Sequence, residues 1–271
     1  MPDGTGPSPA PYREAALITG ASSGIGLELA RLFAADKKDL VLVARNRERL
    51  TQLAVELQQK HGVSVNVLAA DLADPGAASS IARALSGIGI AVDTLVNNAG
   101  IGVYGRFVET DLAREHEMIQ VNVIAPTELT KMFLPAMVRR GRGRVLNVSS
   151  TAAFQPGPLM AVYYATKAYV LSFSEALTNE TRGTGVTITA LCPGPTITEF
   201  QKRAGVNDTV LVNSPLVMDA RRVARAGYEG MKKGKSLVIP GVINRLMVQG
   251  LRLLPRKTVI QAARRIQERR K

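Results

Sequence analysis

The sequence predicts an α/β protein: a doubly wound, about seven-stranded parallel sheet flanked by helices and folded as a single domain. Three observations carry this. Short, near-continuous Val/Ile/Leu runs alternate with helical patterns along the chain, as strands covered on both faces require. A glycine-rich turn lies between the first such run and the first helical pattern. Hydrophobic residues make up 46% of the 271, ample for one large core, and neither an internal repeat nor a domain boundary interrupts the alternation.

In chain order, residues 1–12 are rich in Pro, Gly and Ser and lack a basic n-region or an apolar h-region, so they read as a disordered tail and not a signal peptide. Ala15-Ala16-Leu17-Ile18 is the first strand. Thr19-Gly20-Ala21-Ser22-Ser23-Gly24-Ile25-Gly26 follows, then a helix with Leu27, Ala30, Leu32 and Phe33 as its apolar positions. Leu40 to Val43 is the second strand, Val63 to Ala69 the third, Thr94 to Val96 the fourth, Val145 to Val148 the fifth, Val186 to Leu191 the sixth and Leu237 to Ile239 the seventh. The helical patterns between them include Arg47 to Lys60, Ala77 to Leu85, Leu112 to Val138 and Ala161 to Thr181. A catalytic domain over 13–242 would contain a lid at about 199–235. That lid mixes apolar Val210, Leu211, Val212, Leu216, Val217 and Met218 with basic Arg221, Arg222, Lys232 and Lys233. The mixture suits a partly apolar substrate, one bearing an acidic group included. Residues 243–271 form a basic amphipathic extension, which Pro255 divides into two helices.

The chemistry begins at the glycine-rich turn. Gly20 permits a tight turn, Gly24 lets a pyrophosphate approach the backbone, and Gly26 allows close helix–strand packing, while the helix N-terminus offers partial positive charge to the anion. At the end of the second strand the chain reads Val43-Ala44-Arg45-Asn46-Arg47, without the carboxylate that would hold the ribose hydroxyls of NAD. Arg45 instead offers a guanidinium suited to a 2′-phosphate, and Ser22 adds a hydroxyl, so NADP(H) is favoured over NAD(H). Tyr163 and Lys167 stand at i,i+4 on one helix face, whereas four residues beyond Tyr164 lies Ala168. An ammonium beside a phenol favours the phenolate and draws the pKa toward neutrality.

Thr19 to Gly26, Asn97-Asn98-Ala99-Gly100, Asn122, Ser150, Tyr163-x-x-x-Lys167 and Pro193-Gly194 occur in the order and spacing of the short-chain dehydrogenases/reductases. Over about residues 14–200 the chain resembles that family, and its basic tail resembles the extensions of a bacterial branch of it. The resemblance implies a Rossmann-type fold and NADP(H)-dependent hydride transfer between a ketone or aldehyde and an alcohol. It assigns Tyr163 as general acid/base and Ser150 as the hydroxyl that holds the same oxygen. Lys167 would tune the tyrosine and hold the nicotinamide ribose, and Asn122 would bind a water of the proton relay. Ser149 competes with Ser150, but the thirteen-residue separation from Tyr163 favours Ser150. The same resemblance places Gly20, Ser22, Ser23, Gly24, Ile25, Gly26, Arg45, Asp71, Leu72, Asn98, Ala99, Gly100, Tyr163, Lys167, Pro193, Gly194 and Thr198 against the cofactor. Thr196 departs from the pattern, where an aliphatic residue is usual, two positions before the threonine assigned to the nicotinamide amide. By the same analogy the long helices pair subunits into a homodimer or homotetramer.

A net charge of +13 raises two further readings. A nucleic-acid-binding protein on this fold is disfavoured, because aromatics are 4% of the chain, tryptophan is absent and no aromatic-rich basic stripe appears. A non-catalytic NADP-binding protein would have no need of Asn122, Ser150, Tyr163 and Lys167 together. The extension either packs its apolar stripe on the domain, the favoured reading, or makes weak peripheral contact with an anionic membrane. Cys192, the single cysteine, ends an apolar strand and suits burial in a reducing, cytoplasmic protein. His61 and His116 are too few and too scattered for a metal site.

Overall fold

Residues 12–206 and 217–268 are described by the computed structural model. The expected tail up to residue 11, the centre of the expected lid with Val210, Leu211, Val212 and Leu216, and the final Arg269, Arg270 and Lys271 lie outside them.

The alternation predicted from the sequence is realised. β1 (Arg13–Thr19) leads through the glycine turn into α1 (Gly24–Ala35), then β2 (Leu40–Ala44), α2 (Arg47–His61), β3 (Val65–Ala69), α3 (Ala77–Gly87) and β4 (Ile90–Asn97). Next come α4 (Leu112–Ile119), a π-helical turn at Gln120–Ile124, α5 (Ala125–Arg139), β5 (Gly143–Val148), a 3-10 turn at Thr151–Phe154, α6 (Ala161–Glu180) and β6 (Val186–Leu191). β7 (Thr196–Ile197), α7 (Glu199–Ala204), β8 (Met218–Asp219), α8 (Ala220–Lys232), β9 (Leu237–Val238), α9 (Val242–Leu251) and α10 (Arg256–Gln267) complete the chain.

Seven strands form one parallel sheet in the order β3-β2-β1-β4-β5-β6-β9. Alternate side chains feed two cores. Ala16, Ile18, Leu40 and Leu42 pack with Leu29, Phe33 and Leu50 of α1 and α2 and with Val223 of α8. Leu17, Val41, Val43 and Leu95 pack with Ile81 and Leu85 of α3 and with Leu129 and Met137 of α5. Both faces are therefore dry, which is why these strands need no polar alternation. Strand order reverses between β1 and β4, and in such sheets the crevice beyond the carboxyl ends at that point takes the ligand.

Four features depart from the expectation. β4 starts at Ile90, where Arg13 to Ala15 pair with it before the register shifts at Ala15/Ala16. The helix expected unbroken from Leu112 to Val138 is interrupted by the π-helical turn. β7 and β8 make a separate two-stranded sheet, Thr196 opposite Met218, too short to leave a periodic signal. Finally, residues 220–232 belong to the layer over the sheet instead of a lid. Val223, Ala224 and Met231 of α8 are buried against α1, and Phe33 meets Tyr228 edge-on at 4.8 Å. Two of its cations are held by α1 and the turn after it: Lys232 bonds Asp36 at 2.5 Å and Arg221 lies 3.5 Å from Glu28. Two of the four cations expected to read an acidic substrate, Arg221 and Lys232, are thus engaged elsewhere.

Candidate active site

The glycine turn is built for close backbone approach. Gly20 and Gly24 have φ of +65° and +56°, a region that disfavours side chains. A Cβ on Gly26 would lie 2.4 Å from the Gly20 carbonyl oxygen, so only glycine lets α1 sit this close to the strand end. Asn98, just after β4, locks the turn by donating through Nδ2 to the carbonyls of Thr19 (2.8 Å) and Gly20 (3.2 Å). Thr19 Oγ1 in turn accepts from the backbone N–H groups of Asn98 and Ala99. The N-terminus of α1 carries no side-chain cap from Ser23 and no acidic residue in its first turn. Its N–H groups and partial positive charge face the crevice, an arrangement that fits an anionic diphosphate.

One cleft of about 430 Å³ takes in this turn and the tyrosine centre, and it is lined by every residue the sequence nominated except Gly26 and Asn122. Gly26 acts behind the turn. Asn122 acts through its neighbours: Oδ1 accepts from the Ile101 N–H at 2.9 Å, and Nδ2 donates to the Ile101 carbonyl (2.9 Å) and to Thr166 Oγ1 (3.1 Å). The π-helical turn gives it this inward aim, and such turns recur at functional positions. A Cβ on Gly100 would sit 3.3 Å from Lys167 Nζ and 3.4 Å from Asn122 Oδ1, so the three meet at one point.

Arg45 lies at the rim, half-exposed, with Asp71 and Glu117 each 3.7 Å away. Asp71 also caps its own turn, accepting from the Ala73 N–H, and Leu72 is buried beneath. Thr198 caps α7 with a reciprocal Gln201 box, and its methyl is what a Cβ on Gly24 would strike. Thr196, the departure from the family pattern, is buried and bonds the Gly194 carbonyl at 2.9 Å.

The two serines separate by what they touch. Ser149 is buried and donates to the Lys167 carbonyl at 2.7 Å, tying β5 to α6. Ser150 accepts from the Ala152 N–H at 3.1 Å and hydrogen-bonds the Tyr163 phenol. The electrostatics of Tyr163 differ from the i,i+4 expectation. Burial is the largest influence and pushes the phenol well above its ordinary value, with the Ser150 hydrogen bond acting the other way. Lys167 does not offset this: its Nζ lies 5.8 Å from the ring centroid and donates to the Val148 carbonyl at 3.0 Å. Burial pushes Lys167 itself down to about 8. Cys192 is buried nearby, its thiol pushed up to about 12, which leaves it inert as a nucleophile.

Sequence reasoning missed the far wall. Met160, Tyr164, Phe200, Val206, Met247, Ala263, Ile266 and Gln267 line the cleft opposite the cradle. Gln267 Nε2 donates to Tyr164 Oη at 2.6 Å, and the Gln267 backbone carbonyl accepts from Tyr104 Oη at 2.8 Å. Val259, Ala263 and Gln267 bury the inner side of α10, so the extension is a wall of the site. The doubled tyrosine is visible in the sequence, but its partner lies 103 positions away, beyond any local pattern.

The family model described as short chain dehydrogenase matches residues 14–208. A ketoacyl reductase, HetN, of Nostoc sp. is 30% identical over 226 residues, covering 82% of this chain and 77% of its own. Sulfoacetaldehyde reductase 2 of Chromohalobacter salexigens is 40% identical over 186 residues, covering 68% and 73%. A short-chain dehydrogenase of Sphingobium yanoikuyae, solved in complex with NADPH, superimposes with a TM-score of 0.79 at 36% identity, covering 89% of this chain and 94% of that one.

Proposed function

The chain belongs to the short-chain dehydrogenase family, and from that premise we propose that it is an NADP(H)-dependent oxidoreductase interconverting a ketone or aldehyde with the corresponding alcohol. One observation carries the reading: Tyr163, Ser150 and Lys167 line the same cleft as an uncapped helix N-terminus behind a glycine turn. When bound, the nicotinamide cofactor supplies or accepts the hydride.

The chain's own residues do the rest. Burial keeps Tyr163 protonated at neutral pH, so its hydroxyl is ready to give a proton to the oxygen of a reduced carbonyl. Ser150 hydrogen-bonds the phenol and offers its hydroxyl to the same oxygen. Lys167, bonded to the Val148 carbonyl, holds positive charge beneath the tyrosine at neutral pH. Asn122 positions Ile101, and with it the Ala99-Gly100 floor of the cleft. Arg45 reads the 2′-phosphate, in competition with Asp71 and Glu117, and the Sphingobium relative's NADPH supports that choice. The far wall, dominated by Met160, Phe200, Val206, Met247 and Ile266, suits an apolar carbonyl compound. The ketoacyl and sulfoacetaldehyde reductases among the relatives support a carbonyl as the reacting group.

The protein acts in the cytoplasm as a homodimer or homotetramer, paired through exposed apolar residues of the long helices, among them Leu112, Ile124, Val138 and Tyr169. Titrating the purified protein with NADPH and NADH while following reduced-nicotinamide fluorescence tests the reading. Tight NADPH and weak NADH binding is expected. Binding of neither would refute the reductase, and equal binding would refute the role of Arg45.

A further inference from the structure

α9 and α10 have two different sides. Their inner side is fixed: Asn244 and Val248 of α9 and Val259, Ala263 and Gln267 of α10 are buried, and Asn244 Nδ2 donates to the Pro240 carbonyl at 3.0 Å. The outer side of α9 is apolar and open, whereas that of α10 carries Lys257, Gln261, Arg264 and Arg265. Val242 and Leu246 stand one turn apart on α9, exposed by 68% and 67%, with Ile243 beside them. Leu253 and Leu254 continue the patch into the turn before α10, Leu253 at 87% exposure. Contiguous apolar surface of this kind marks an interaction site more often than scattered exposed residues do.

The charge around the patch says what covers it. Arg245, Arg252, Arg256 and Lys257 surround it, all exposed, and among the described residues none of the four forms an ion pair. Glu268 is the single carboxylate in residues 242–271, and it is engaged by Arg264 at 3.0 Å. A second copy laid on this face would oppose like charges within a chain already at +13. A nucleic acid would neutralise the cations and leave five large apolar side chains in water. An anionic bilayer satisfies both, since headgroups meet the cations while Val242, Ile243, Leu246, Leu253 and Leu254 enter the acyl boundary.

We propose that the outer face of α9 and the α9–α10 turn docks on an anionic lipid bilayer. No described helix is long and apolar enough to cross a membrane, so the contact is peripheral. Met247 and Ile266 of the same two helices line the cleft, which places the far wall next to the lipid surface.

Co-sedimentation of the full chain with vesicles tests this, using phosphatidylcholine alone and phosphatidylcholine mixed with an equal amount of phosphatidylglycerol. The protein is expected to pellet with the anionic vesicles and stay in solution with the neutral ones. Each membrane-proximal cation contributes on the order of a fivefold change in partitioning, so Arg252→Glu with Arg256→Glu is expected to lower partitioning roughly tenfold or more. Leu246→Glu with Leu253→Glu is expected to abolish it. These side chains lie outside the cleft, and circular dichroism with urea denaturation of both variants reports folding whether or not NADPH binds, so a failed reductase reading leaves the lipid result interpretable. Absence of wild-type pelleting, or equal pelleting of the variants, overturns the proposal. So does a fall in the sedimentation-derived mass of Leu246→Glu with Leu253→Glu, which would make the face a subunit contact.

Discussion

The two sides of the cleft are made of different material. The cradle is backbone: positive-φ glycines, a bare helix N-terminus, and Asn98 bonded to the carbonyls of Thr19 and Gly20. The far wall is side chain, brought together from α6, α7, α9 and α10 and pinned by Gln267 between Tyr164 and Tyr104. Backbone geometry recognises what all dinucleotides share and tolerates no Cβ. A wall of packed side chains changes shape with each substitution, so it is where one member of a family can differ from another.

Tyr163 belongs to both sides, and removing its hydroxyl has the largest expected effect. Tyr163→Phe should lower kcat by roughly 10²–10⁴-fold while the NADPH Kd stays put, as stopped-flow rates and fluorescence titration would show. Retained turnover would remove the general acid. Next in size is the cradle alone. Gly26→Ala drives a Cβ against the Gly20 carbonyl and should cost about 1–3 kcal/mol, seen as a lower urea midpoint together with weakened NADPH binding. If cofactor affinity survives, close packing of α1 is not what shapes the cradle.

Arg45→Asp probes the rim. Losing a charge-assisted contact worth about 1.5–3 kcal/mol should shift the NADPH-over-NADH preference roughly tenfold to a hundredfold toward NADH, read as the ratio of the two Kd values. A pH series probes the floor. Lys167 titrates near 8 when folded against an ordinary lysine value of 10.5, so between those values the unfolded chain binds more protons. Stability of the wild type should therefore rise with pH across that window relative to Lys167→Met, in which the buried cation is gone. Chemical denaturation of both proteins at pH about 7 and about 9.5 measures the difference, and the opposing influence of the raised Cys192 thiol cancels in the comparison. The smallest effect belongs to the far wall: Gln267→Leu strands the Tyr164 hydroxyl and should cost about 1 kcal/mol with NADPH affinity unchanged. A change in NADPH affinity as large as that in stability would erase the division between the two sides.

This division also governs what the sequence can disclose. Parallel strands buried on both faces read as Val/Ile/Leu runs, so β1, β2, β5 and β6 are legible to within two residues. Glycine spacing exposes the cradle, and helical spacing puts Tyr163 and Lys167 on one face. The same spacing misjudges their electrostatics, because burial and a hydrogen bond to Val148 depend on how α6 settles against β5. α8 reads as lid because its amphipathic pattern does not say which neighbour it packs on, and that neighbour, α1, lies about two hundred positions earlier. Gln267 has no pattern at all.

The π-helical turn at Gln120–Ile124 works as a phase shifter. One spare residue rotates everything beyond it by about 100°, so α4 and α5 present their apolar stripes to the core independently of each other. Met118 before the turn and Leu129 after it are both fully buried under that offset. Deleting Val123 would restore an even helical beat at the cost of one stripe's alignment and of Asn122's aim at Ile101. A helix end is usually free to gain or lose residues; here the length of the middle is fixed to the single residue.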